Sequence, residues 1–182
     1  MFLYLCPHPL SASFVTFENI CQKMKVGRKL LFPPTRISIF CIFVHTSMID
    51  ILHKGGYSCV MKNREEVRTF TQRGVADLYD LYQADSAFMK GAAIADKVIG
   101  KGAAALMVLG GFKTVYADII STPALALLCE AGIETTFAQE VPHIINRDKT
   151  GWCPLETACM ELNTVEEMYP VIQNFISRIR AK

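Results

Sequence analysis

The 182-residue sequence lacks any run of about 20 consecutive apolar residues, so no segment is fit to cross a bilayer as a helix and no membrane partner is expected. No two of its seven cysteines form a CxxC pair, which leaves a structural zinc site without ligands at the usual spacing. Their odd number and irregular spacing speak against a disulfide framework and for a reducing, cytoplasmic compartment. Charge of either sign is nearly balanced, with 19 Lys and Arg against 17 Asp and Glu. No basic stripe carries interleaved aromatics, so no nucleic-acid partner is expected. The GxSxG elbow of serine hydrolases is missing. Gly100-Lys101-Gly102 is not a phosphate-binding loop, because no Ser or Thr follows Lys101 and Ala95 stands where a glycine is needed. His53 and His143 have no partner at metal-ligand spacing. Neither a metal nor a cofactor is implied.

What is present is a chain that is 51% apolar, long enough to bury a core of its own. Its composition breaks near residue 47. Residues 1–47 hold five Lys and Arg against one Glu, four of the eight prolines and one of the 11 glycines. They show no sustained period, and the apolar residues precede the cations, the reverse of a secretory signal. Residues 1–47 are therefore expected to be a poorly structured extension, sequence read in frame upstream of a start at Met48. Residues 48–182 are expected to form one domain.

Within that domain, Tyr57–Met61 and Glu65–Thr71 read as a hairpin around the turn Lys62-Asn63-Arg64. Val75–Tyr82 has helical spacing. Residues 87–101 read as a second helix with Ser86 as its N-cap, and Ala103–Leu109 as a buried strand ended by Gly110–Gly111. Thr114–Ile120 is a strand. Thr122–Pro123 opens a helix that stops at Gly132. Residues 133–137 and 142–145 are extended, and Pro154–Leu162 is a short helix. Thr164-Val-Glu-Glu167 is a capping box for a last helix with an apolar stripe through Met168, Ile172 and Ile176. A hairpin followed by alternating helices and strands implies an α/β sandwich with a mixed sheet and helices on both faces.

Two segments carry candidate chemistry. On the helix expected over 87–101, Lys97 and Lys101 would share one face beside Ile94 and Val98. Burial and a like-charged neighbour both disfavour the ammonium form, so either lysine could bind an anion or act as a base or amine nucleophile, with Asp96 orienting it. The alternative is that both amines reach solvent at the helix edge. The second segment is Pro142–Glu156. A thiol at a helix N-terminus, as expected for Cys153, is favoured as thiolate, and Glu156 would lie one turn on, on the same face. Asn146, Arg147 and the amides near Gly151 could hold a polar or anionic ligand. The alternative is a tight loop tied by Asn146 and Asp148, with Cys153 a small buried hydrophobe.

Residues 49–162 resemble a family of small, uncharacterised prokaryotic proteins of cytidine-deaminase-like fold. The resemblance rests on Gly56-Tyr-Ser-Cys-Val60, Arg73-Gly-Val75, Ala95-Asp-Lys-Val98, Gly100-Lys101, Leu109-Gly-Gly111, Asp118-Ile-Ile-Ser121, Ile144-Ile-Asn-Arg147 and Gly151-Trp-Cys-Pro-Leu-Glu156. It implies a three-layer α/β/α sandwich and, by analogy, association into a homo-oligomer. It also implies that the two candidate segments occupy the helix starts where deaminases keep His-Ala-Glu or Cys-Ala-Glu and Pro-Cys-x-x-Cys around a zinc-bound water. Here Ala95-Asp-Lys97 and Cys153-Pro-Leu-Glu156 stand there instead. One thiol and one carboxylate beside a lysine make a poor zinc set, so zinc-dependent deamination is not expected. The expectation is a metal-free cleft for a small polar or anionic ligand. In one version Lys97, Cys153, Glu156 and Asp96 are catalytic, with Lys101, Asn146, Arg147 and Gly151 binding the ligand. In the other, the cleft is a non-catalytic binding or regulatory module.

Overall fold

A computed structural model describes residues 39–72, 74–146 and 148–181, with side chains from residue 47 onward. The elements run α1 (Ile39–Lys54), β1 (Cys59–Asn63), β2 (Glu66–Phe70), α2 (Ala76–Met89), β3 (Ala93–Ile99), α3 (Lys101–Gly110), β4 (Thr114–Ser121), α4 (Thr122–Glu130), β5 (Glu134–Val141), α5 (Pro154–Cys159) and α6 (Val165–Arg180). Helix α1 crosses the composition break, so residues 39–47 are helical where a structureless extension was expected. Met48 and Leu52, four apart on one face, are fully buried against Val60, Ala95 and Tyr116.

The sheet has the order β2-β1-β3-β4-β5. β1 pairs antiparallel with β2 and β3, whereas β3, β4 and β5 are mutually parallel. Helix α1 covers one face. The larger core lies on the other, where α3 packs against α2, α4 and α6. The molecule is thus a three-layer α/β/α sandwich with a mixed sheet.

The hairpin, β4, the helix opened by Thr122–Pro123, its stop at Gly132 and the capping box at Thr164 all fall where the sequence places them. The stretch 87–110 does not. Helix α2 continues to Met89 across a kink at Asp85, whose carboxylate accepts the Phe88 N–H at 3.1 Å; Ser86 lies inside the helix and is not its cap. The segment expected to be helical becomes the central strand β3, and the expected strand 103–109 becomes α3. Both stretches are apolar nearly all round, so neither shows the contrast that separates a period of 2 from 3.6. Composition decides between them. Ile94, Val98 and Ile99 are β-branched, while Ala103–Ala105, Leu106 and Met107 are strong helix formers. The glycines agree: Gly91 (φ 76°) turns the chain out of α2, and Gly111 (φ 70°) closes α3, with the Phe112 N–H bonded to Met107 O at 3.2 Å.

Residues 133–145 also differ from expectation. A single strand, β5, runs to Val141, and Ile145 pairs only with Trp152 across a tight loop.

Candidate functional site

β3 ends beside the place where strand direction changes within the sheet, its antiparallel neighbour β1 on one side and its parallel neighbour β4 on the other. The strand order also reverses there, running β2-β1 to one side and β3-β4-β5 to the other, and in open α/β sheets such a reversal leaves a crevice outside the carboxyl ends of the strands. A cleft of about 710 Å³ opens there. Its walls come from the end of β3, the start of α3, the loop at Ile144–Asn146, the start of α5, and Phe175 and Ile179 of α6. Asp96, Lys97, Asn146, Cys153 and Glu156 all line it, so three segments separated in sequence bring their polar side chains to one hollow.

Asp96 and Lys97 reach it from a strand, not from the start of a helix. The face that Lys97 and Lys101 were expected to share therefore does not exist, and Ala95-Asp-Lys97 does not occupy a helix start of the deaminase kind. Asp96 is buried, and its Oδ1 accepts the Val98 N–H at 2.9 Å. Burial pushes its carboxyl up to about 7; the Val98 amide opposes this, and the charges of Asp118 and Asp77 add to it. Lys97 is half-buried in the cleft wall.

Lys101 is the first residue of α3 and does not line the cleft. Its Nζ donates to Met160 O at 2.7 Å and Leu162 O at 2.8 Å, carbonyls just past the end of α5. This ammonium caps a helix end, a position that suits a cation. Its backbone N–H donates to Glu156 Oε2 at 2.9 Å. Glu156 is 1% exposed, and its Oε1 is buried with no hydrogen-bond partner. A Cβ on Gly100 would fall 2.2 Å from Glu156 Oε2, and one on Gly102 would fall 2.8 Å from Leu155 Cγ. The two glycines let α5 lie against the start of α3.

Cys153 is the N-cap of α5, half-buried, with Pro154 at the first helical position and Glu156 in the first turn, as the sequence implies. It also packs against the main core. The loop before it is closed by its own bonds. Asn146 Oδ1 accepts the Thr150 N–H at 2.9 Å, its Nδ2 donates to Thr150 Oγ1 at 2.9 Å, and its N–H donates to Gly151 O at 2.8 Å. Asn146 thus ties the loop and borders the cleft. Gly151 lies outside the cleft lining. Arg147 lies outside the described residues.

Sequence reasoning passed over two groups. Ser58 lines the cleft and its Oγ contacts both Phe70 O (2.9 Å) and Asp77 Oδ2 (3.1 Å). Asp77 is buried, and its position four before Leu81 on the inner face of α2 was the available signal. The other group is on the α1 face, where His53 Nε2 meets Asp118 Oδ2 at 2.9 Å and the Tyr116 hydroxyl donates to Asp118 Oδ1 at 3.0 Å. Burial and the Asp118 carboxylate push the Tyr116 phenol up to about 12. Sixty-five residues separate His53 from Asp118, so no local spacing could reveal the pair.

Among the described residues no three His, Cys, Asp or Glu side chains come together in a way that could hold a metal ion. The donor set therefore does not fit a deaminase-type zinc. No helix among them is long and apolar enough to cross a membrane.

The model of a domain of unknown function, DUF1893, matches residues 47–176. The chain belongs to the DUF1893 family. Its fold is similar to the crystal structure of a DUF1893 family protein from Thermotoga maritima, with a TM-score of 0.68 and 20% identity over 82% of this chain and 99% of that one. That likeness shows that the sandwich is a DUF1893 fold. A slighter similarity, with a TM-score of 0.35 and 18% identity, links 53% of this chain to 34% of Acinetobacter baumannii RibD. None of the curated proteins matches this DUF1893 chain.

Proposed function

We propose that this DUF1893 domain is a small-molecule-binding protein of the cytidine-deaminase-like class, whose cleft takes a polar ligand without a metal. One observation carries the reading: Asp96, Lys97, Asn146, Cys153 and Glu156, from three separate segments, all face one hollow of about 710 Å³. That volume suits a compact ligand, and a mostly apolar wall with a few convergent polar groups is the usual make-up of such sites. The α/β/α layering supports the fold assignment. Lys101 is committed to two carbonyls and Asn146 to Thr150, so among the described residues Lys97 is the expected anion donor that lines the cleft. A cytoplasmic location accords with the thiol state of Cys59, Cys153 and Cys159.

The test is a two-dimensional NMR titration of the full chain with a panel of polar metabolites. The reading expects shifts clustered at Asp96, Asn146 and Cys153; a panel that moves only resonances elsewhere would overturn it. A second reading, covalent chemistry at Cys153, is favoured by its place at the N-cap of α5 beside Glu156 on the cleft wall. It expects a ligand that moves those resonances to protect Cys153 from alkylation.

A further inference from the structure

Helix α6 is held unevenly along its length. Its capping box fixes the start, and Met168, Ile172 and Ile176 are buried in the main core. Tyr169 packs on the rings of Tyr79 and Tyr82 from α2, with centroids 6.4 and 5.6 Å apart. Past Ile176 that grip ends. Residues 177–180 are all exposed, and the side chains of Ser177 and Arg178 bond back to the Gln173 and Asn174 carbonyls of their own helix. This last turn still forms part of the cleft, because Ile179, 44% exposed, lines it beside Phe175.

A carboxylate outside the cleft ties this turn to another of the cleft walls. Arg180 Nη2 donates to Asp80 Oδ1 at 2.6 Å and to Oδ2 at 2.7 Å. Asp80 Oδ2 also accepts from Gln72 Nε2 at 3.1 Å, and Gln72 lines the cleft from the chain between β2 and α2. Asp80 thus joins two walls of the hollow without entering it. The side chains of Arg180 and Asp80 are 46% and 41% exposed. An ion pair that open to solvent favours its closed form by a factor of about 5 at most. It is strong enough to bias a terminal turn and too weak to lock it. We propose that the last turn of α6 is a gate on the cleft, latched by Arg180 on Asp80, and that its release widens the hollow for entry. This rests on the binding reading above and adds the device that controls access to that site. Opening draws no buried side chain out of the core, since among the described residues none of α6 lies buried beyond Ile176.

Cys153 on the cleft wall is the reporter. The full chain is labelled in parallel with N-ethylmaleimide and N-pyrenylmaleimide, which share a reactive group and differ in bulk, and the rate at Cys153 is read by peptide mass mapping. Arg180→Ala and Asp80→Ala are each expected to speed the bulky reagent about 2–5-fold, as the loss of one exposed pair allows, and the double variant should go no further than the singles. N-ethylmaleimide, small beside a cleft of about 710 Å³, should keep its rate. About 1 M KCl should act on the parent as the variants do, because salt screens an exposed pair; with N-ethylmaleimide as its control, this measurement serves alone if the variants do not fold. A bulky-reagent rate that neither variant nor salt moves overturns the gate. Equal acceleration of both reagents overturns it as well, since that is general loosening. So does failure of the bulky reagent to reach Cys153 in every protein. Each of these outcomes leaves the binding reading to the metabolite titration, which decides it separately.

Discussion

Glu156 and Lys101, 55 positions apart, are joined twice over. The backbone N–H of Lys101 donates to Glu156 Oε2 at 2.9 Å, while the Lys101 side chain holds the carbonyls that follow the helix on which Glu156 rides. The first contact requires a bare backbone at Gly100, where a Cβ would sit 2.2 Å from that same oxygen. Gly100→Ala is expected to cost about 1–3 kcal/mol, as overpacking does. The backbone there is extended (φ −99°), so the cost is steric and not conformational. Chemical denaturation of both single variants and of Gly100→Ala with Glu156→Ala checks this: the pair should lose less than the summed singles, and strict additivity would refute the contact.

Lys101→Met keeps the aliphatic stem and removes the ammonium. Two buried-side carbonyls lose their donor, and about 1–3 kcal/mol of stability should go with it. Because Lys101 lies outside the cleft lining, ligand affinity measured on the folded variant should change far less than stability. A Lys101→Met protein as stable as the parent would show that the two carbonyls find other partners.

Asp96 makes stability depend on pH. The folded chain holds this proton up to about pH 7, whereas an unfolded aspartate releases it near 3.8. An acid with a raised folded value stabilises the fold fully below the unfolded value, and that contribution is lost as pH climbs through the folded one. The loss is at most about 4 kcal/mol between pH 4 and 8. Asp96→Asn mimics the protonated acid and can still accept the Val98 N–H. Relative to the parent, its melting temperature should rise between pH 5 and pH 8 by roughly 5–10 °C. Parallel pH profiles for the two proteins would contradict the account.

The thiols should differ in reactivity. Burial, aided by Asp96 and Asp77, holds the Cys59 thiol well above its ordinary value, and burial pushes Cys159 up to about 11. Cys153 is half-buried on the cleft wall. Iodoacetamide at pH 8 is expected to label Cys153 at least ~10-fold faster than Cys59 or Cys159 in the native protein, read by peptide mass mapping. Equal rates at the three sites would remove Cys153 from consideration as a nucleophile.

How much of this was legible beforehand depends on contrast. Thr164 and Glu167 form their capping box as read, because caps are local and side chains state them outright. The short helix after Cys153 is marked just as locally, by Pro154 at its first position and Glu156 in its first turn. The helix expected over 87–101 and the strand expected over 103–109 exchange character, because an element central to the fold is apolar on every side and shows no period. Gly111 carried the decisive sign there, a left-handed helix stop read as the end of a strand. That error moved Lys97 onto the wrong element yet left it near Cys153, since both segments border the same sheet end. The fates of Lys101 and of His53 with Asp118 depended on residues far away in the chain, which no single-sequence spacing records.

Helix α5 has six residues, too few to persist on its own in water. It is strapped at its two ends by one residue of another helix: the Lys101 amide takes Glu156 in its first turn, and the Lys101 amine takes the carbonyls of Met160 and Leu162 behind it. Leu155 and Cys159 of the same helix are buried in the main core, so the segment is bound by its side chains as well as by Lys101, and its amides should exchange together with those at the start of α3.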